Sequence, residues 1–114
     1  MAKSADTWEG RRALTDNPNL ASEVFQNAAR TLMEMDLPSE AALFFSRAED
    51  EEGLREIIKK AAEEGNFFIF QAAASRLKEG RPSREELEAL IAAAEKGGKA
   101  LYAEKASAYL KDNY

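Results

Sequence analysis

One stretch of the chain occurs twice, and this internal repeat constrains the fold more than any other feature. Residues 54–80 are followed, 33 residues later, by a similar stretch at residues 87–113. Identical residues fall at helical spacing on both sides of a shared glycine; they are Leu54/Leu87, Ile58/Ile91, Ala61/Ala94, Gly65/Gly98, Ala73/Ala106, Leu77/Leu110 and Lys78/Lys111. The pairs Ile57/Leu90 and Phe68/Leu101 are similar. Each copy therefore predicts a helix, a glycine turn and a second helix, and a period in this range indicates stacked repeats that bury their apolar faces against one another.

Composition limits the classes of function that the chain can serve. The sequence has 114 residues, a net charge of −5, and neither Cys nor His. This length fits one domain, and an acidic body argues against binding nucleic acid. Without Cys or His, and with no Gly-rich phosphate loop, the usual catalytic nucleophiles and bases are missing. We therefore predict a protein that is not an enzyme and binds no cofactor or metal.

The same features bear on the compartment. The absence of Cys is typical of a reducing compartment. No apolar run approaches the roughly 20 residues of a membrane span, and the first residues lack the apolar stretch of a signal peptide. The sequence therefore predicts a cytoplasmic protein that does not bind membranes.

The chain divides into a tail and a helical body. Residues 1–16 are polar and aperiodic, which predicts a flexible tail. Trp8 in this tail either packs back on the body or belongs to a linear motif. Residues 17–114 form a single helical-repeat domain, whose first helix is predicted to begin at Asn17-Pro18.

Five further helices are predicted after the first. Pro38 begins the second, Asp50 caps a third that ends at Gly65, and Asn66 caps a fourth that continues through Leu77. Ser83 and Glu86 form a capping box for the fifth helix, and Gly97-Gly98 turns the chain into the sixth. The predicted inner face of the sixth helix comprises Leu101, Tyr102, Ala106, Tyr109 and Leu110. Six helices with short loops imply antiparallel neighbours.

The spacing resembles the tetratricopeptide repeat (TPR), a helical hairpin of 34 residues. The match is best around Asp36; the matching residues are Phe25, Ala28, Ala29, Leu32, Ala41, Phe45 and Ala48. The resemblance covers residues 18–114 and implies an all-α, right-handed α-solenoid of about three antiparallel hairpins. Ile58, Ile91 and Phe70 depart from it, because the family has small residues at these positions. Other helical-hairpin solenoids remain an alternative.

The resemblance also implies a function in protein–protein interaction. In the family, the first helices of the hairpins line a groove that holds a peptide or a partner helix. The corresponding candidate residues here are Gln26, Arg30, Met33, Arg55, Lys59 and Glu88. Three of them are basic, so an acidic segment is the predicted partner. The alternative is an ordinary solvated face.

The end of the chain suggests a second function. The sixth helix carries apolar and aromatic residues with no further helix to cover them; they are Tyr102, Tyr109, Leu110 and Tyr114. Solenoids need polar terminal repeats to shield their ends. A structural homodimer through the C-terminal helix is therefore the alternative prediction, and a fragment of a longer helical-repeat protein is another.

Overall fold

The computed structural model describes residues 22–114. The predicted tail, Trp8 and the predicted helix start at Asn17-Pro18 lie outside the described residues. Within the described part the chain forms helices and no strand, which confirms the all-helical prediction. The helices are α1 (Ser22–Glu34), α2 (Pro38–Arg47), α3 (Glu51–Glu64), α4 (Phe67–Ala74), α5 (Arg84–Lys96) and α6 (Ala100–Asn113).

Local sequence signals set most helix starts, as predicted. Pro38 occupies the first turn of α2, where its missing N–H has no intrahelical acceptor to satisfy. The Asp50 carboxylate accepts a hydrogen bond from the Gly53 amide at 3.0 Å, and the Asn66 side chain does the same for Ile69 at 3.1 Å. A capping box at Ser83 begins α5. Each side chain satisfies an amide that the helix itself leaves without a partner.

The turns within the hairpins use left-handed backbone. Gly65 has φ +68°, and Gly98 has φ +72°. Glycine adopts this region freely because it has no Cβ. Asp36 takes the same conformation, with φ +59°, in the turn of the first hairpin, where an Asp is among the few tolerated residues.

The end of α4 differs from the prediction. The helix stops at Ala74, and Leu77 lies beyond it, although its side chain still packs against the core. The residues that follow form a segment, 77–83, called here the interhairpin loop. In a continued helix the amides of Lys78 and Glu79 would donate to carbonyl oxygens four residues earlier; here they donate to the Glu51 carboxylate of α3 instead.

Neighbouring hairpins pack in sequence. The pairs α1–α2, α3–α4 and α5–α6 form the three hairpins. The second hairpin meets the third through α3–α5 and α4–α6. The first meets the second through α2, which contacts both α3 and α4, whereas the backbones of α1 and α3 make at most marginal contact. The two junctions between hairpins are therefore built differently.

Close backbone approach at both junctions depends on glycine. A Cβ on Gly53 would lie 2.3 Å from Cδ1 of Phe45, a ring that is completely buried. A Cβ on Gly65 would lie 2.5 Å from the backbone nitrogen of Ala94. Gly53 thus allows α2 to lie against α3, and Gly65 allows the end of α3 to lie against α5.

The sixth helix presents the predicted face to the core except at Leu101. Ala103 and Ala106 are buried, and Tyr102, Tyr109 and Leu110 pack partly against the core. Leu101, predicted to face inward, is 61% exposed. The prediction was wrong at Leu101 because the buried residues of α6 are Ala103 and Ala106, and Leu101 lies about 200° around the helix from Ala103, outside that face.

Candidate interaction surfaces

Two of the six candidate groove residues connect α1 to the second hairpin. Gln26 donates a hydrogen bond from Nε2 to the Asp50 carboxylate at 3.2 Å. Arg30 forms an ion pair with Glu56, with 2.5 Å between Nη1 and Oε2. Its guanidinium also lies 5.1 Å from the centroid of the Phe45 ring, within reach of a cation–π contact. Long polar side chains thus join α1 to the second hairpin where the backbones barely meet.

The charge of Arg30 is balanced within the chain. The hydrogen bond with Glu56 raises the pKa of Arg30 above its ordinary value, and the nearby carboxylates of Glu56, Asp50 and Glu52 add to that effect. Because the bidentate pair with Glu56 already compensates its positive charge, the guanidinium attracts a second carboxylate less strongly. Arg30 is therefore poorly suited to binding an acidic partner.

Arg55 binds the backbone of the interhairpin loop. Its guanidinium donates to the backbone carbonyl oxygens of Arg81 at 3.4 Å and Glu79 at 3.5 Å. Lys59, one turn further along α3, is exposed and has no ion-pair or hydrogen-bond partner within residues 22–114. Of the three predicted basic residues, Lys59 alone is thus available in the described part of the chain.

The remaining two candidates do not extend a basic surface. Met33 is half-buried against the core, and Glu88 pairs with Arg84 at 3.2 Å along α5. Among residues 22–114, the first-helix face therefore has no continuous basic patch. The sequence pattern could not reveal these pairings, because each cation except Lys59 has its partner on another element.

The interhairpin loop is held from several sides. The Glu51 carboxylate accepts hydrogen bonds from the amides of Lys78 and Glu79, each at 3.3 Å. Lys78 pairs with Glu49 at 2.9 Å, and this hydrogen bond lowers the pKa of Glu49 and raises the pKa of Lys78. The loop is thus tied to the beginning of α3.

The end of α6 is bound to the same loop. Arg81 donates a hydrogen bond to the carbonyl oxygen of Asn113, and its guanidinium lies 4.2 Å from the centroid of the Tyr114 ring. Partial burial raises the pKa of Tyr114 above its ordinary value. Tyr109 makes edge-on contacts with the Phe67 and Phe70 rings, with centroids 6.1 Å apart in each case. The aromatic residues predicted to form a dimer interface are therefore largely engaged within the chain.

Two large apolar side chains are exposed on a different surface. Phe68 on α4 is 66% exposed, and Leu101 on α6 is 61% exposed. They occupy the same position in successive hairpins, three residues after the turn glycines Gly65 and Gly98. An open depression beside Phe68 is lined by Gln71, Ala72 and Ser75. We call these exposed residues the outer face; they are Phe68, Gln71 and Ala72 of α4, Ser75 directly after α4, and Leu101, Glu104, Lys105 and Ala108 of α6.

The sequence contained a signal for the outer face. Phe67, Phe70, Ala73 and Ala74 are the buried residues of α4, and they define one side of that helix. Phe68 follows Phe67 by one residue, or about 100° around the helix, and so lies outside that side. The repeat pairs Phe68 with Leu101, and the sequence analysis places Leu101 on the inner face of the sixth helix. An apolar match away from the buried stripe could instead have indicated a shared surface position.

The described residues show no cluster of acidic side chains that could hold a metal ion, and a small cavity between two hairpins. Within residues 22–114, no group of three or more Asp or Glu side chains is placed to hold a metal ion. A cavity of about 200 Å³ lies between the turns of the first two hairpins; it is lined by Asp36, Pro38, Ile57, Lys60, Ala61, Glu64, Asn66 and Ile69. It is smaller than the ~300–1,000 Å³ of typical small-molecule sites. In the same part of the chain, no helix has the length and apolar character needed to cross a membrane.

No family model, curated protein or solved structure matches the chain.

Proposed function

We propose that this chain is a non-enzymatic protein–protein interaction module, an adaptor or scaffold in the cytoplasm, built as a right-handed TPR-like solenoid of three hairpins. Support for the architecture comes from the packing of each hairpin on the next and from the glycines at both junctions. Support for a binding role rather than catalysis comes from a sequence without His or Cys. Helical-hairpin arrays commonly present extended surfaces to partners.

One observation carries the proposal. Two successive hairpins place a large apolar side chain at the same exposed position, Phe68 and Leu101, where it contributes little to the core. Fully covering such a side chain is worth about 1.5–3 kcal/mol. Every 1.4 kcal/mol is tenfold in affinity, so the pair can supply roughly a hundredfold to ten-thousandfold. We therefore place the docking surface on the outer face.

The groove along the first helices is the rival surface. Lys59 and the exposed part of Met33 would serve a peptide there. Arg30 and Arg55, however, are used within the chain, which weakens the case for an acidic peptide at that site. The two surfaces lie on different helices, so one experiment separates them.

The experiment introduces a photo-crosslinking phenylalanine analogue at single positions in the protein's own cell. The analogue replaces Phe68 on the outer face, Lys59 on the first-helix face, or exposed Arg47 as a control. We expect a discrete crosslinked species from position 68 that disappears when Leu101→Ser is added. Crosslinking from position 59 alone would move the site to the groove. Crosslinking from neither position, with the protein folded, would rule out the interaction function.

A further inference from the structure

The junction between the first two hairpins is tight at one end and open at the other. At the tight end, the completely buried Phe45 ring of α2 lies against bare backbone at Gly53, near the start of α3. At the open end, a cavity of about 200 Å³ lies between the turn at Asp36 and the second half of α3. Protein interiors are otherwise close-packed, so this cavity leaves the turn space in which to move.

Polar side chains span the gap between the first hairpin and α3. Three contacts follow one another along it: Gln26 with Asp50 at 3.2 Å, Arg30 with Glu56 at 2.5 Å, and Asp36 with Lys60 at 3.9 Å. We call these six residues the polar bridge. The side chains of its two ion pairs are about half-exposed or more, so salt screens them. The bridge therefore closes the gap by contacts that depend on ionic strength, whereas the Phe45 contact does not.

The second junction is closed by backbone instead. A Cβ on Gly65 would lie 2.5 Å from the backbone nitrogen of Ala94, so the end of α3 lies directly against α5. The backbones of α3 and α5 are in close contact, unlike those of α1 and α3 within the described residues. The second and third hairpins therefore form one unit, and the first hairpin can move against it.

We propose that the first hairpin is hinged on the other two, with the Phe45–Gly53 contact as the pivot and the polar bridge as a salt-sensitive closure. When the bridge opens, the turn at Asp36 moves away from α3 while α2 stays packed on Gly53, and the gap between α1 and α3 widens. Gly53 and Glu64 lie roughly 17 Å apart along α3, so a tilt of about 12° moves the turn by about 3–4 Å. The hinge is independent of the outer face, which lies on the other two hairpins.

The test measures distances between pairs of spin labels by dipolar electron paramagnetic resonance. The sequence has no Cys, so two introduced cysteines carry the labels. Glu34, Glu63 and Lys96 are exposed, and each lies two residues before the turn residue with positive φ in its hairpin. Glu34→Cys with Glu63→Cys spans the first junction, and Glu63→Cys with Lys96→Cys spans the second as the matched control.

Both distances are compared at about 0.1 M and about 1 M salt, between which the screening length falls from about 10 Å to about 3 Å. We expect the distance between positions 34 and 63 to lengthen by about 3–4 Å and the distance between positions 63 and 96 to stay the same. An unchanged distance across the first junction would show that the first hairpin is fixed. Equal lengthening at both junctions would show a general loosening. Either result would overturn the hinge.

Charge variants test the polar bridge itself. Arg30→Glu places a carboxylate beside Glu56 and should lengthen the first distance at about 0.1 M salt, whereas adding Glu56→Arg should restore most of the original distance. Lys59→Glu reverses a charge on α3 outside the bridge and should leave the distance unchanged. Circular dichroism checks that each variant is folded, and the salt comparison decides the matter if Arg30→Glu is not. A folded double variant that stays open would overturn the bridge as the closure.

Discussion

Replacing Gly53 with Ala tests the closest contact between hairpins. An added Cβ would lie 2.3 Å from Cδ1, 2.5 Å from Cε1 and 2.7 Å from Cγ of Phe45. Carbon atoms in optimal contact are about 3.5–4.0 Å apart, so the ring would have to move by about 1 Å. Phe45 is completely buried, so any movement of its ring takes place within the core. Steric overlap should therefore destabilise the fold.

The expected change in the free energy of unfolding is the sum of two effects of opposite sign. Overpacking a core costs about 1–3 kcal/mol, and a contact this short with a rigid ring belongs at the upper end. Alanine in place of glycine within a helix returns about 1 kcal/mol. The net loss is therefore about 2 kcal/mol, and each kcal/mol corresponds to about 4–8 °C in melting temperature for a domain of this size.

A double-mutant cycle with Phe45→Ala isolates the contact. Removing the ring should itself cost about 3–5 kcal/mol. In that background Gly53→Ala should stabilise by about 1 kcal/mol, because only the helix effect remains. The free energy of unfolding of all four proteins is measured by urea denaturation, with the same stabilising osmolyte present. Glu63→Ala, at an exposed position of α3, is the control. Equal effects of Gly53→Ala in both backgrounds would refute the argument.

Three further substitutions test other parts of the structure. Ser83→Ala removes the side-chain acceptor of the α5 capping box and should cost about 1 kcal/mol in urea denaturation; an unchanged midpoint would show that the cap is dispensable. Arg55→Glu should speed amide exchange in the interhairpin loop, whereas Lys59→Glu should change stability by less than about 0.5 kcal/mol; equal effects would contradict their separate roles. Because Lys78 lowers the pKa of Glu49, the stability from this pair is present above the carboxyl's unfolded pKa and is lost as pH falls. In the Lys78→Ala variant, the Glu49 pKa measured by NMR titration should return towards its ordinary value. An unchanged Glu49 pKa would exclude the pair as the cause of the lowered value.

Features encoded by neighbouring residues could be predicted from the sequence. The caps at Asp50, Asn66 and Ser83 and the left-handed turns at Gly65 and Gly98 involve residues close in the chain. The apolar period then fixed the number and order of the helices in the described part. These are short-range effects, and they predicted most of the fold.

Features that depend on distant contacts could not be predicted in the same way. Beyond the end of α4, amides of the interhairpin loop donate to Glu51, 27 residues away in the chain, and the role of Arg55 depends on the same loop. The partner of Arg30 lies 26 residues further along the chain. The groove hypothesis treated Arg30 and Arg55 as free to bind a partner. A repeat pattern identifies the face of a helix on which a residue lies, but it does not show which side chains of another hairpin contact that face.

The pairing of Phe45 with Gly53 makes the order of the hairpins matter. At the position of Phe45 the second hairpin has Ala74, and at the position of Gly53 the third has Glu86. Among these equivalent positions, a large ring therefore lies against a glycine only at the first junction. If the third hairpin were moved to follow the first, Phe45 would meet a glutamate side chain where it now meets bare backbone. The units therefore resemble one another in sequence without being interchangeable parts, and a longer array could not be built by copying any one of them.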